Sequence, residues 1–248
     1  MPGHVPVAIL AKERVGIAVV YVIVIESFHF HNCDVSAYDS QARCFQEVWD
    51  KYGRLDALCA NAGIVNKSSV YILDHRDSQR CRLQMCRLRH SARNPLHEKE
   101  QDTRRRHRSN GHIAAIHPHE TYPEYGGAKA AVYNFVRATS RVLKIKETIR
   151  INCVLPGIVA TKITPPEMVA AVSSGCLTPI STILSAYHKC LEDESLSGEA
   201  IECSAEKHLL VPRPEFQNGR VSQREVTVWD SLFKMHHHEL SQLPDAIA

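Results

Sequence analysis

An α/β fold with a doubly wound parallel sheet is the class that this 248-residue chain predicts. Three observations carry that prediction. Short apolar runs alternate with segments whose apolar residues recur at helical spacing. One of those runs, Val15 to Ile25, is uncharged over eleven residues and rich in Val and Ile, as a strand buried on both faces is. Farther on, a segment carrying Tyr125 and Lys129 leads into a short strand that stops at Pro156-Gly157. That pair opens a loop at the strand's carboxyl end, where open α/β sheets bind ligands. The length suits one domain spanning 1–248.

Taken in order, Val7 to Arg14 reads as the end of a helix and Val15 to Ile25 as a buried parallel strand. The run is shorter than the ~20 residues of a membrane span, and it lacks the small-residue cleavage site of a signal peptide. Ser36 is placed to cap a helix reaching Tyr52, along which Ala42, Phe45, Val48 and Trp49 repeat at helical spacing. Leu55–Ala60 follows as a strand. From His75 to Gly111 the alternation stops. Residues 75–111 contain no Val, Ile, Phe, Tyr or Trp and carry a net charge of +7, which leaves −4 for the rest of the chain. Such a composition cannot offset the entropy of ordering, so disorder is expected there, with no buried strand in Thr103-Arg104-Arg105-Arg106-His107-Arg108. Three origins stay open for it: an anion-binding patch, a disordered insertion, or a misread exon or shifted frame.

Pattern returns at Ile113-Ala114-Ala115-Ile116. Gly127, Ala131, Asn134, Phe135 and Ala138 lie on a helix, and Ile151, Cys153 and Val154 form the strand before Pro156. Pro165-Pro166-Glu167 begins a mobile loop region, Ser181 to Glu192 is helical, and Gly198 to Ser204 is the last strand. A C-terminal extension, 205–248, holds a helix within 219–243 around Val228, Leu232 and Met235.

The mildly acidic body gives no reason to expect nucleic acid, and no segment calls for a membrane. Nine scattered cysteines without C-x-x-C spacing fit a reducing cytoplasm. His29-Phe30-His31 and His236-His237-His238 lack partners at zinc-site spacing, so no metal is expected.

Tyr125 and Lys129 stand four apart on one helix and leave it on one face. An isolated tyrosine titrates near pH ~10, and an ammonium beside it favours the phenolate, which would make a proton donor and acceptor usable near neutrality. Alone, Y-x-x-x-K on a helix is usually one half-buried ring with one solvated lysine. Its neighbours decide otherwise. Gly53-Arg54-Leu55-Asp56-Ala57-Leu58-Cys59-Ala60-Asn61-Ala62-Gly63, the Cys33-Asp34-Val35-Ser36 stretch, the Tyr-Lys helix and Pro156 to Thr161, taken together, resemble the short-chain dehydrogenase/reductase family. Thr178-Pro179 to Ser204 and Pro212-Arg213-Pro214-Glu215 look most like fungal members related to hydroxyprostaglandin dehydrogenase.

The resemblance implies a Rossmann-like fold and hydride transfer between NAD or NADP and a small secondary alcohol or ketone. Tyr125 would exchange the hydroxyl proton, while Lys129 would lower its pKa and hold the nicotinamide ribose. Asp34 and Val35 would lie by the adenine, Asn61, Ala62 and Gly63 would line the cofactor, and Pro156, Gly157, Ile158, Val159 and Thr161 would place the carboxamide. Two departures stand out. The family's Gly-rich turn should precede the helix ending at Arg14, where only Gly3 is found, and the place of its catalytic serine falls at His112, with Ser109 out of register. The chain is therefore expected to be impaired as an enzyme, or else a catalytically degenerate binding protein. Family members pair through the Tyr-Lys helix, so a homodimer or tetramer is expected, with Tyr133, Phe135 and Val136 facing the partner.

Overall fold

The computed structural model describes residues 7–14, 17–24, 27–33, 37–53, 57–61 and 106–248. Its strands are β1 (Val7–Arg14), β2 (Ile17–Val24), β3 (Ser27–Cys33), β4 (Ala57–Ala60), β5 (Arg106–Asn110), β6 (Arg150–Pro156), β7 (Ala200–Ser204) and β8 (Lys207–Leu210). The helices are α1 (Tyr38–Tyr52), α2 (Pro123–Glu147), α3 (Pro166–Ala171), α4 (Ile180–Glu192), α5 (Gly219–Glu225) and α6 (Asp230–His237).

All eight strands form one sheet in the order β3-β2-β1-β4-β5-β6-β7-β8. β1, β4, β5, β6 and β7 run parallel, while β2 is antiparallel to its neighbours β1 and β3 and β8 is antiparallel to β7. Every residue of β6 is buried, which is why it reads as a nearly continuous apolar run. Its side chains still alternate. Ile151, Cys153 and Leu155 join Val132 and Val136 of α2 on one face, and Val154 joins Ala186 and Cys190 of α4 on the other. The sheet is thus sandwiched between α2 and α4 where its parallel strands end. The extension is tied to α2: Arg137 donates to the carbonyls of Val211 and Pro212, Arg141 pairs with Asp245, and Lys146 with Glu239.

Several expectations need correction. Val7–Arg14 is a strand rather than a helix end, and the apolar run beside it is antiparallel rather than parallel, pairing Val7 with Ile23 through Arg14 with Ile17. An isolated eight-residue helix is marginal, whereas β1 gains ladders on two sides, to β2 and β4. The second correction is β5. Arg106–Asn110 lies in the middle of the sheet, where no buried strand was expected. The slot between β4 and β6 offers backbone donors and acceptors to both edges, and that ladder is independent of side-chain type. The expected disorder therefore fails for 106–111; residues 75–105 lie outside the described residues.

The α1 helix begins slightly later than expected, with Ala37 at its N-cap and no side-chain cap; Ser36 lies outside the described residues. Helix α3 occupies the region expected to be a loop after Pro165, and the extension carries two short helices and β8 rather than one helix. Val136 is fully buried in the core and cannot face a partner subunit, while Tyr133 and Phe135 pack against that core only in part.

Candidate active site

Parallel strands bring their carboxyl ends to one edge, because the ladders run in step. Ala60 of β4 pairs with Ser109 of β5, which pairs with Cys153 of β6. Asn61, Asn110 and the loop after Pro156 consequently emerge side by side. Gly111 makes the close approach to β6 possible: its N–H donates to Val154 O at 2.8 Å, and a Cβ there would overlap Leu155 Cδ2 and lie 2.8 Å from Cys153 Sγ. Helix α2 starts over this edge with Pro at its N-terminal turn, which costs nothing where the N–H has no intrahelical partner.

Tyr125 and Lys129 enter from the first turns of α2. Lys129 is only 5 % exposed, which removes the solvated-lysine reading. Its Nζ lies 5.5 Å from the centroid of the Tyr125 ring and donates to Asn110 O at 3.0 Å. Asn110 Nδ2 in turn donates to Asn61 Oδ1 at 2.5 Å. Thus two strand ends and one helix converge on four polar side chains. Asn110 was missed in the sequence because it closes a segment with no periodic pattern; only counting back from Tyr125 could have singled it out.

Burial sets the electrostatics. It pushes the Tyr125 phenol up to about 12 and the Lys129 ammonium down to about 8. The lowered phenol expected from the spacing is therefore not what the structure gives. Both groups share one dry pocket in which charge on either is disfavoured. Tyr125 therefore stays protonated through the neutral range.

His112 occupies the position expected for a serine. Its Nδ1 accepts from Ala114 N at 3.0 Å, and its ring meets Tyr125 edge-on with centroids 5.2 Å apart. Burial first, then Lys129 and His119, push it down to about 4, so the ring is neutral at ordinary pH.

The loop after β6 is held by hydrogen bonds to its backbone groups. Gly157 N donates to Cys203 O at 3.0 Å, Thr178 N to Ile158 O at 2.8 Å, and Thr164 Oγ1 to Val159 O at 2.7 Å. Thr161 is exposed. Asp34, Val35, Ala62 and Gly63 lie outside the described residues. Among the described residues no group of three or more His, Cys, Asp or Glu could hold a metal, and no helix is long and apolar enough to cross a membrane.

Residues 23–169 match the family model described as enoyl-(acyl carrier protein) reductase. The short-chain dehydrogenase/reductase prx6 of Penicillium rubens is 41% identical over 250 residues, covering 95% of this chain and 84% of that protein. The chain belongs to the short-chain dehydrogenase/reductase family. A second Penicillium rubens member, prx7, is 22% identical to this dehydrogenase/reductase over 73% of the chain and 69% of its own length. Among solved structures, ElxO with NADP bound superposes with a TM-score of 0.58 at 18% identity, covering 68% of this chain and 74% of that one. A 3-ketoacyl-(acyl-carrier-protein) reductase from Brucella melitensis, complexed with NADH, gives 0.60 at 17% identity, covering 69% and 75%. These likenesses share the Rossmann-like α/β fold.

The described half of this dehydrogenase/reductase's cleft fits a nicotinamide nucleotide. Lys129 carries three N–H donors and spends one on Asn110 O, which leaves donors in a dry pocket for a ribose hydroxyl. Asn110 Oδ1 is buried and has no partner among the described residues, so an acceptor waits beside them. At Gly157 a Cβ would lie 3.0 Å from Thr178 Oγ1, so the loop packs closely against Thr178 as it leaves the strand.

Proposed function

We propose that this chain is an NAD(P)-dependent reductase that converts a small ketone to a secondary alcohol, and the reverse, through Tyr125 and Lys129. The observation that carries the reading is the buried Lys129, anchored to Asn110 O and set beside the Tyr125 ring at the carboxyl edge of the parallel strands. A bound reduced nicotinamide supplies a hydride to the carbonyl carbon and is itself oxidised by two electrons. Tyr125 gives its proton to the carbonyl oxygen. Lys129 holds the ribose and restrains the phenol, and Asn61 fixes Asn110, which fixes Lys129. Asp34, Val35, Ala62 and Gly63 belong to the adenine and diphosphate side of this reading, and Pro156 to Val159 with Thr161 to the carboxamide side.

A phenol held near 12 is protonated at neutral pH, the form from which reduction starts, whereas oxidation starts from the phenolate. A kinship to fungal members related to hydroxyprostaglandin dehydrogenase belongs to the same reading, and the Penicillium origin of both relatives supports its fungal part alone. All seven described cysteines are free thiols, which supports a cytoplasmic setting.

Tyr125→Phe is the test. Turnover with NADPH is expected to fall by about 10²–10⁴, the usual share of general acid catalysis, with the nucleotide dissociation constant unchanged. Loss of nucleotide binding together with turnover would overturn the assigned role. A wild-type chain that reduces no ketone and leaves NADH fluorescence unaltered would instead be a non-catalytic binding protein. Pairing of copies through α2 is part of the reading, now confined to the partly exposed Tyr133 and Phe135. Sedimentation is expected to give a dimer or tetramer at micromolar concentration, and a monomer there would remove that claim.

A further inference from the structure

The site as built has a proton donor for the carbonyl oxygen but lacks the serine hydroxyl that the family resemblance leads one to look for. What stands there is an imidazole, and its surroundings constrain it closely. The backbone N–H of Ala114 points at Nδ1, at 3.0 Å, from the short helical turn Ile113–Ala115. A nitrogen that accepts a hydrogen bond carries no proton in the neutral ring, so the proton resides on Nε2. Among the described residues Nε2 has no hydrogen-bond partner. The ring is held edge-on against Tyr125, at an interplanar angle of 72°, so the imidazole and the phenol that gives the proton are direct neighbours.

We infer that His112, through its Nε2–H, donates the hydrogen bond to the substrate carbonyl oxygen that the family's serine would otherwise donate. This rests on the reductase reading and deepens it. As the hydride adds to carbon, the C=O π pair moves onto oxygen. Nε2–H and the Tyr125 hydroxyl then meet the growing negative charge from two sides, and the Tyr125 proton completes the alcohol. The imidazole keeps its own proton throughout. Its neutrality is part of the arrangement: the groups around it are Tyr125, Lys129 and His119, two of them basic, and burial adds to their effect. A neutral imidazole polarises a carbonyl without surrendering a proton to it.

Two substitutions separate the donor from the local fold. The shorter amide of H112N keeps an acceptor oxygen where Nδ1 stands, so the Ala114 N–H remains satisfied, but offers nothing at Nε2. H112Q places an amide N–H at about the reach of Nε2 and gives up the Nδ1 acceptor. With NADPH and whichever of a panel of β-keto esters, diones and quinones the wild type reduces, kcat for H112N is expected to fall by about 10²–10³, the cost of one oxyanion donor. NADPH affinity and melting temperature should hold, and H112Q should recover at least tenfold over H112N. Wild-type kcat in H112N, or H112Q no better than H112N, overturns the inference while a dead Tyr125→Phe leaves the reductase reading standing. An active Tyr125→Phe, or a wild type that reduces nothing in the panel, counts against the reductase reading itself. Nitrogen-15 NMR of labelled histidine gives a readout apart from activity. The neutral Nε2–H tautomer is expected at neutral pH, and an Nδ1–H tautomer or an imidazolium there overturns the assignment.

Discussion

Arg150→Ala is expected to lower the stability of the folded chain by about 3–5 kcal/mol, enough to unfold a domain of ordinary stability in mild denaturant. Arg150 opens β6 and is only 8 % exposed, yet it is not a stray buried charge. Nη1 donates to the carbonyls of Cys190, Asp193 and Leu196 at 3.2, 2.8 and 3.1 Å, and Nη2 to Leu191 O at 3.2 Å. Cys190 and Leu191 lie in the last turn of α4, whose oxygens have no intrahelical donor, and Asp193 and Leu196 in the loop after it. The guanidinium satisfies them and sets a positive charge at the negative end of the helix dipole. Truncation leaves the Cys190 and Leu191 carbonyls without that donor, each costing about 1–3 kcal/mol with partial relief from entering water, while Asp193 O keeps the Leu196 N–H and Leu196 O keeps Asn152 Nδ2. Arg150→Lys keeps the charge but cannot span four carbonyls from one nitrogen, so an intermediate loss is expected. Urea unfolding followed by circular dichroism measures both. A midpoint for Arg150→Ala within error of wild type would show that α4 is held by its apolar face alone.

What could be read from the sequence and what could not divides along local and non-local determinants. Helix α2 was legible because Gly127, Ala131, Phe135 and their neighbours repeat at the helix's own period, and β6 because its apolar run stops at Pro156-Gly157. Tyr125 and Lys129 followed from their spacing on that helix. Strand identity elsewhere depends on partners far along the chain. Val7–Arg14 has no strand signature of its own, and it becomes a strand by pairing with β2 and β4. Arg106–Asn110 reads as a solvated basic run, and the slot between two parallel strands makes it β5. Asn110, a structural pivot of the site, inherits that illegibility.

Charge and tautomer were the other blind spot. Spacing alone says that an ammonium near a phenol lowers its pKa, but the answer depends on how dry the pocket is, which only packing shows. At Lys129 the 5 % exposure marks a pocket dry enough to reverse the expected sign for Tyr125. Likewise His112 looked like a missing serine. Its neighbours Ala114 and Tyr125 lie two and thirteen residues on, and the geometry that gives the imidazole a defined tautomer is invisible in a list of residue types.

Lys129→Met is expected to make the protein more stable and nearly inactive at once. In the folded chain Lys129 titrates at about 8 instead of 10.5, because burial opposes the ammonium. Below about 8 both folded and unfolded chains hold the proton, and the folded one bears the whole cost of burying it. Between about 8 and 10.5 the unfolded chain still binds a proton that the folded chain has released, so wild-type stability rises with pH across that window. The rise amounts to about 3 kcal/mol at 1.36 kcal/mol per pH unit. Met at this position has no proton to bury and shows no such rise. At neutral pH the variant should gain about 1 kcal/mol, once about 2 kcal/mol for the lost charge-assisted bond to Asn110 O is set against the relieved burial. Activity moves the other way. Losing the group that restrains Tyr125 costs on the order of 10²–10⁴ in rate, and losing a charged donor to the ribose costs roughly tenfold or more in nucleotide affinity. Melting temperature against pH for both proteins, with nucleotide titrations beside it, checks each half separately. Parallel melting curves from neutrality to above 10.5 would show that the ammonium is not buried at a cost. An unchanged nucleotide affinity would free Lys129 from any part in holding the ribose.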